Sequence, residues 1–350
     1  MRELAREVLE GEDAWIVGGA VRDELLGRPL VDLDIAIREP EAAARRFARR
    51  SGGAPFALSE RHGAWRVALD AGRTVDFTPL VGRIEADLAT RDFTINAVAV
   101  PLVGGQLVDP FGGLPDLERR VLRVVRPSAF SDDPLRLLRA VRLEDELGFG
   151  LDHDTERLVR EHADLVARPA GERILAELVQ LSPAGYERLE ELGLLAPLGG
   201  TLERLRTLQE TTPELRLVAV FGEGLRRLPV SNELRRFAGA LLRAEVPGEV
   251  SARSVHRFRR ATEPWAVEAA RFAGTGVAAE LERAIEEARR RDPPEPLLRG
   301  DELGLAPGPE IGRLLARIEE ERAAGTISSR DDALELVRRE RGERRDGDRS

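Results

Sequence analysis

The chain has 350 residues, 42% hydrophobic and 33% charged, with no cysteine, four His and a formal net charge of −9. That length and apolar share support two or three compact units rather than a disordered chain. The same figures exclude a disulfide framework, a thiolate metal site and a uniformly basic nucleic-acid coat, although a local basic groove stays open. The charged opening MRELAREVLEGED lacks the apolar core of a signal peptide. No apolar run approaches the roughly 20 residues of a membrane helix, so a cytoplasmic protein is the expectation.

In chain order, a first strand is predicted over Ala14–Val17. It is followed by Gly18-Gly19, a short helix at about 20–26, and a second strand over Val31–Ile37. A helix at 40–50 precedes two strands, Trp65–Leu69 and Thr74–Thr78, that flank the turn sequence DAGR. Ile95–Leu102 and Gln106–Val108 flank VGG as a second hairpin. This pattern is a mixed sheet with helices, an α+β unit. From Pro134 onward the chain reads as helix after helix, punctuated by Pro and Gly. The last ten residues, RGERRDGDRS, read as a frayed tail.

Chemistry concentrates in a few places. Gly18 and Gly19 allow close backbone approach where a helix begins, as a phosphate cradle needs, although the pair alone is also an ordinary tight turn. In VDLDIAI the side chains alternate, so Asp32 and Asp34 share one face while Val31, Leu33, Ile35 and Ile37 take the other. Adjacent carboxylates repel, so the pair is either an exposed polar face or a pair of oxygen ligands for a divalent cation. Asp76 alternates with Val75 and Phe77, and joins the acidic pair if its strand lies beside theirs. Three carboxylates can hold two Mg²⁺ ions, one activating a hydroxyl and one bracing a leaving pyrophosphate.

Arg91 and Asp92, before an apolar stretch, are either a surface ion pair or readers of a ribose or phosphate. Asp109–Leu117, DPFGGLPDL, has turn chemistry that suggests a hinge and no ligand site. In SDDPLRLLRAVRLEDELGF, Asp133 and Pro134 read as N-cap and first helical residue. At about 100° per residue, Arg136, Arg139 and Arg142 lie within one arc of about 120° on an otherwise apolar helix. Arginines so placed need an anionic partner, and Asp133 with Arg136 offers an acceptor and donors that match the edge of a base. The His-Asp dipeptide inside Asp152–Asp154 reads as a helix-start loop.

Taken together these motifs resemble the tRNA nucleotidyltransferase family, the enzymes that build or repair the 3′ CCA end of tRNA, in the bacterial and eukaryotic class that includes bacterial poly(A) polymerases. The resemblance rests on Gly18-Gly19-Ala20-Val21-Arg22-Asp23 with Asp32-x-Asp34, then RDFTINA, DPFGGLPDL, DDPLRLLRAVR and GERILAEL, in order and with compatible spacing. The stretch LLRGDELGLAPGPEIGRLLARIEEERAAGTISSRDDALEL is similar to the family's tail.

The resemblance implies a polymerase-beta-like nucleotidyltransferase head over 1–125 and a nucleotide-selecting neck over 126–185. A tRNA-binding helical body and tail follow over 186–340, with 341–350 as a terminal tail. It implies that Asp32 and Asp34 bind the catalytic metal, Mg²⁺. Gly18, Gly19 and Arg22 would contact the triphosphate, and Arg91 with Asp92 the sugar–phosphate. Asp133 and Arg136 would read CTP or ATP without a template, and Arg139 and Arg142 would line the same pocket. The partners implied are the tRNA 3′ end, CTP and ATP.

Thr90 stands where the family often has Arg. The connection from Asp76 to Asp87 is short, as in enzymes that add only CC; many CCA-adding members have a longer, flexible loop here. A poly(A) polymerase on the same scaffold and a catalytically silent RNA-binding protein are the rival readings.

Overall fold

The computed structural model describes residues 1–59, 63–274, 276–291 and 295–347, and the chain divides into two compact units, Met1–Gly200 and Thr201–Ser350.

The first unit opens with α1 (Arg2–Val8), β1 (Ala14–Val17), α2 (Gly19–Leu25), β2 (Asp32–Ile37) and α3 (Pro40–Ser51). It continues with β3 (Ala54–Ser59), β4 (Ala64–Ala68), β5 (Thr74–Pro79), α4 (Ile84–Leu88) and β6 (Ala99–Pro101). The six strands form one sheet in the order β3-β4-β5-β2-β1-β6. Only the β2–β5 pair is parallel, and it sets Asp34 beside Asp76. The odd residues Leu33, Ile35 and Ile37 of β2 and Val75 and Phe77 of β5 are buried in one core with Ala43, Ala44 and Phe47 of α3 and Leu9 after α1. Phe47 meets Phe77 with ring centroids 5.9 Å apart, a tilted pair of the kind that adds to simple area burial. The other face carries a smaller cluster, including Val17, Ala36, Ile84 and Leu88, and the acidic residues.

Four sequence expectations shift. Val31 is exposed and the strand starts at Asp32. The strand predicted over Ile95–Leu102 shrinks to Ala99–Pro101. Thr94–Asn96 winds into a 3₁₀ turn because Thr94 and Asn96 direct their side chains to the buried Asp116 and Asp92. Gln106–Val108 contributes only an isolated bridge, Val108 with Ala99. β3, sequence APFALS, is an unpredicted edge strand, the place where a Pro is tolerated in a sheet.

After the sheet come α5 (Gly113–Arg119), β7 (Val121–Leu122), α6 (Ala129–Asp132), α7 (Leu135–Leu147), β8 (Gly150–Leu151), α8 (His153–Glu161), α9 (Gly171–Leu178) and α10 (Pro183–Glu191). α7 starts one residue later than predicted. Pro134 rather than Asp133 takes the N-cap position, and Asp133, one residue earlier, accepts from the Leu135 N–H at 3.2 Å. Asp152 caps α8 by accepting from the Thr155 N–H, so the His-Asp dipeptide is a helix start.

The second unit is helical: α11 (Pro213–Phe221), α12 (Asn232–Leu242), α13 (Ala252–Thr262), α14 (Ala266–Ala273), α15 (Ala278–Arg291), α16 (Pro309–Ala323) and α17 (Arg330–Gly347). Thr212, Ser231 and Ser251 cap α11, α12 and α13. One core within the unit joins Leu314 and Ile318 of α16 to Ala333, Leu336 and Val337 of α17. The final helix runs through Gly347, and residues 348–350 of the expected tail lie outside the described residues. Among the described residues no helix is long and apolar enough to cross a membrane.

Candidate active site

β1 ends in Val17, and Gly18 follows at φ +71°, a conformation that favours glycine. A Cβ on Gly18 would lie 3.1 Å from Asp34 Oδ2 and 3.3 Å from Arg91 Nη1, so the backbone passes directly between the acidic strand and a cation. Gly18 and Gly19 thus open α2 at the wall of a cleft of about 910 Å³ within the first unit. The acidic face of β2 and β5 forms one side of this cleft, α7 supplies Arg136, Arg139 and Arg142, and Asp133 joins them from the link between α6 and α7.

On the acidic side, Asp32 is exposed and its Oδ1 accepts from Thr74 Oγ1 at 2.7 Å. Asp34 is half-buried. Burial above all, then the nearby charge of Asp76, raises its pKa to about 6, against a smaller lowering influence from Arg91. Asp76 does lie beside this pair, as its strand position predicted, yet both its oxygens are taken by Arg66 at 2.7 Å each. The expected three-carboxylate ligand set is therefore not assembled. Among the described residues no group of three His, Cys, Asp or Glu side chains is placed to hold a metal ion. Two carboxylates still fit a small divalent cation, which is usually held by one or two carboxylates together with substrate phosphates. The raised pKa of Asp34 marks negative charge that a cation would offset.

The predicted arginines differ in what they touch. Arg22 is buried and bonds Asn96 Oδ1 at 2.9 Å and both oxygens of Asp23, so it braces the cleft wall through the protein. Arg91 spends Nε and Nη2 on Asp87, leaving Nη1 beside Gly18. Asp92 is buried. Its Oδ1 accepts from the Phe93 N–H and Asn96, and its Oδ2 accepts twice from Arg139. Burial opposes ionisation of Asp92 most strongly, but the Arg139 charge and these hydrogen bonds hold its carboxyl below the usual range. Arg142 bonds Glu177 and Glu146, each at 2.6 Å. Arg139 and Arg142 thus find carboxylates of the protein itself as their anionic partners.

Arg136 is different. Its Nη2 donates to the Thr90 carbonyl at 2.6 Å, while its Nη1 is shielded from solvent without a partner among the described residues. Burial lowers its pKa from the ordinary arginine value. Asp133 pairs with Arg173 at 2.8 Å. The segment Asp109–Leu117 contributes nothing to the cleft lining and is tied internally: Asp109 accepts from the Gly113 and Leu114 N–H groups, and buried Asp116 pairs with Arg123.

Cleft or supporting residues that escaped the sequence reading include Arg66, Asn96, Arg173 and Glu177. Arg66 was the most accessible of these. A hairpin folded about DAGR registers position 66 against position 76, and alternation puts Arg66 on the face opposite Val67.

A mixed-sheet head with paired strand carboxylates facing an arginine-bearing helix defines a nucleotide-transferring enzyme. The model of the Poly A polymerase head domain matches residues 14–123. Relatives extend the likeness to the rest of the chain. A CC-adding tRNA nucleotidyltransferase of Thermus thermophilus is 34% identical over 95% of this chain and 95% of its own. An A-adding tRNA nucleotidyltransferase of Deinococcus radiodurans is 36% identical over 93% of this chain and 95% of its own. The crystal structure of the Bacillus stearothermophilus CCA-adding enzyme in complex with CTP superposes with a TM-score of 0.76 at 26% identity, covering 99% of this chain and 98% of that one. The chain belongs to the tRNA nucleotidyltransferase family. Enzymes of this family generally use a divalent metal.

Proposed function

We propose that the protein extends the 3′ end of tRNA without a template. It transfers CMP, AMP or both from CTP and ATP and releases pyrophosphate, with Mg²⁺ as the metal. The observation that carries this reading is the opposition, in one cleft, of Asp32 and Asp34 on β2 to the unsatisfied Nη1 of Arg136 on α7.

Asp32 and Asp34 would hold the metal, which when bound supplies charge neutralisation and an activated oxygen nucleophile. The chain's own residues do the rest. The Gly18–Gly19 backbone admits the triphosphate close to the sheet, and Arg91 Nη1 offers it positive charge. Arg136 presents a desolvated donor to the base edge. An unmet buried donor costs about 1–3 kcal/mol, so a base with an acceptor there is favoured over one without. Asp133, held by Arg173, lies just before α7, three residues ahead of Arg136, and can accept from an exocyclic amine if it shares or leaves that pair. Asp92 and Glu177 fix Arg139 and Arg142 so that the α7 face is rigid when the base arrives. In this reading residues 1–125 are the catalytic head, 126–185 the nucleotide-selecting neck, and 186–340 the tRNA-binding body and tail.

A CC-only activity is favoured by one feature: β5 passes to α4 through Leu80–Arg83 alone, with no room for a long loop. The deciding experiment offers tRNAs ending at the discriminator base, at C and at CC, with CTP, ATP or both, and sequences the products. Growth stopping at CC establishes CC addition, and growth to CCA establishes the full reaction. Long tails from ATP alone would instead establish a poly(A) polymerase. No divalent-metal-dependent incorporation on any RNA would overturn the proposal in favour of a silent RNA-binding protein.

A further inference from the structure

Three side chains form a row across the sheet. Arg66 of β4 is in register with Asp76 of β5, and Asp76 with Asp34 of β2. Arg66 donates through Nε to Asp76 Oδ1 and through Nη2 to Asp76 Oδ2, both at 2.7 Å. This side-on fork engages both carboxylate oxygens in charge-assisted bonds, the strong class of hydrogen bond. Both backbones are fixed in the same antiparallel ladder, so the pair cannot drift apart without a rotamer change. Asp76 is also buried, with its side chain 12% exposed, which limits where its carboxylate can swing. Asp34, one strand further, accepts no hydrogen bond among the described residues, and Asp32 accepts one.

We propose that Arg66 is a positioning residue that holds Asp76 out of the metal's coordination. The nucleotide-free protein then offers a divalent cation two carboxylates rather than three, and the cation binds firmly only together with the triphosphate. The inference rests on Asp32 and Asp34 being the metal ligands. Its chemistry is one of ligand count. Affinity of an oxygen site for a hard cation rises with the number of charged ligands, and a small cation that keeps several waters is completed by substrate phosphates when protein carboxylates are few. Spending the third carboxylate on a guanidinium sets the centre on the side where metal and substrate arrive together. It also leaves a fixed positive charge in the row, which eases the repulsion between Asp76 and Asp34.

The test reads metal binding and needs no turnover. Mn²⁺ is titrated into nucleotide-free wild type, R66Q, R66K, D76N and R66Q/D76N, with free Mn²⁺ followed by electron paramagnetic resonance and folding checked by circular dichroism. Arg66→Gln is expected to tighten Mn²⁺ binding on the order of tenfold, the scale on which groups behind metal ligands move affinity. Adding Asp76→Asn should remove the gain. Arg66→Lys keeps the charge but cannot engage both oxygens in the fork, so it too should gain affinity, and it serves if the Gln variant does not fold. Wild-type affinity in the folded Arg66 variants overturns the proposal, as does a gain that persists when Asp76→Asn is added to Arg66→Gln. The underlying assignment is read separately from D32N/D34N with CTP present: metal uptake equal to wild type there would refute the ligands themselves, whatever Arg66 does.

Discussion

Asp34 holds a charge that its surroundings disfavour, and that conflict has measurable consequences. An acid whose folded pKa is raised binds more protons folded than unfolded between the two values. Stability therefore falls as pH rises from about 4, the ordinary aspartate value, to about 6, and the penalty is fully present above that. In metal-free buffer with chelator, Asp34→Asn should raise stability at pH 7.5 by on the order of 1–3 kcal/mol, and the gain should vanish below about pH 4. Urea melts across that range check it, and a pH-independent difference would show that the charge is already compensated. The same variant should lose catalysis by about 10²–10³-fold or more in single-turnover incorporation, with tRNA binding by filter retention retained. Arg136→Ala removes the one cleft guanidinium nitrogen that is buried and unpartnered among the described residues. It should compress the ratio of kcat/KM for CTP against ATP by about tenfold while tRNA affinity stays within a factor of two or so. An unchanged ratio would assign base reading elsewhere.

At the scale of elements, the site depends on how a few backbone segments are pinned. The 3₁₀ turn Thr94–Asn96 lies under α5, and a Cβ on Gly113 would come within 2.2 Å of the Thr94 carbonyl oxygen. Backbone cannot yield there as a flexible side chain would. Gly113→Ala should therefore destabilise the first unit by about 1–3 kcal/mol, measured by thermal melts, and displace Asn96 from Arg22 and Asp92. The β2–β5–β4 ladder has a different job, setting the spacing of Asp34, Asp76 and Arg66 by register alone. A one-residue slip would send every one of these groups into the apolar core, and Phe47, Phe77 and Ile35 oppose that slip by burial. Phe77→Ala, which leaves a cavity behind that register, should cost about 3–5 kcal/mol, and a loss under 1 kcal/mol would show that the core recloses around it.

For the molecule as a whole, the cleft belongs entirely to the unit Met1–Gly200, and the helices of Thr201–Ser350 form a separate compact unit. If catalysis resides in the first unit and the second contributes tRNA contacts, charge reversal at exposed arginines of the second, such as Arg260→Glu, should raise KM for tRNA. Nucleotide affinity, read by CTP titration, should not move. A change in CTP affinity of comparable size would argue against that division of labour.

Strands β1, β2, β4 and β5, the single face shared by Asp32 and Asp34, the arc of Arg136, Arg139 and Arg142, and the helical second half were legible in the sequence. Each follows from a local period or from motifs written in a line. The three-residue strand β6 and the Thr94–Asn96 turn were not legible, because buried carboxylates distant in the chain decide whether Thr and Asn bond locally or extend. Pairing was hidden for the same reason. Whether an arginine awaits a substrate or is already held by the protein depends on which carboxylate the fold brings opposite it. Asp92 and Glu177 claim Arg139 and Arg142, Arg66 claims Asp76, and among the described residues Arg136 alone of the three α7 arginines has no carboxylate in direct contact. Periodicity fixes the face a charge occupies, but only tertiary structure supplies its counter-charge.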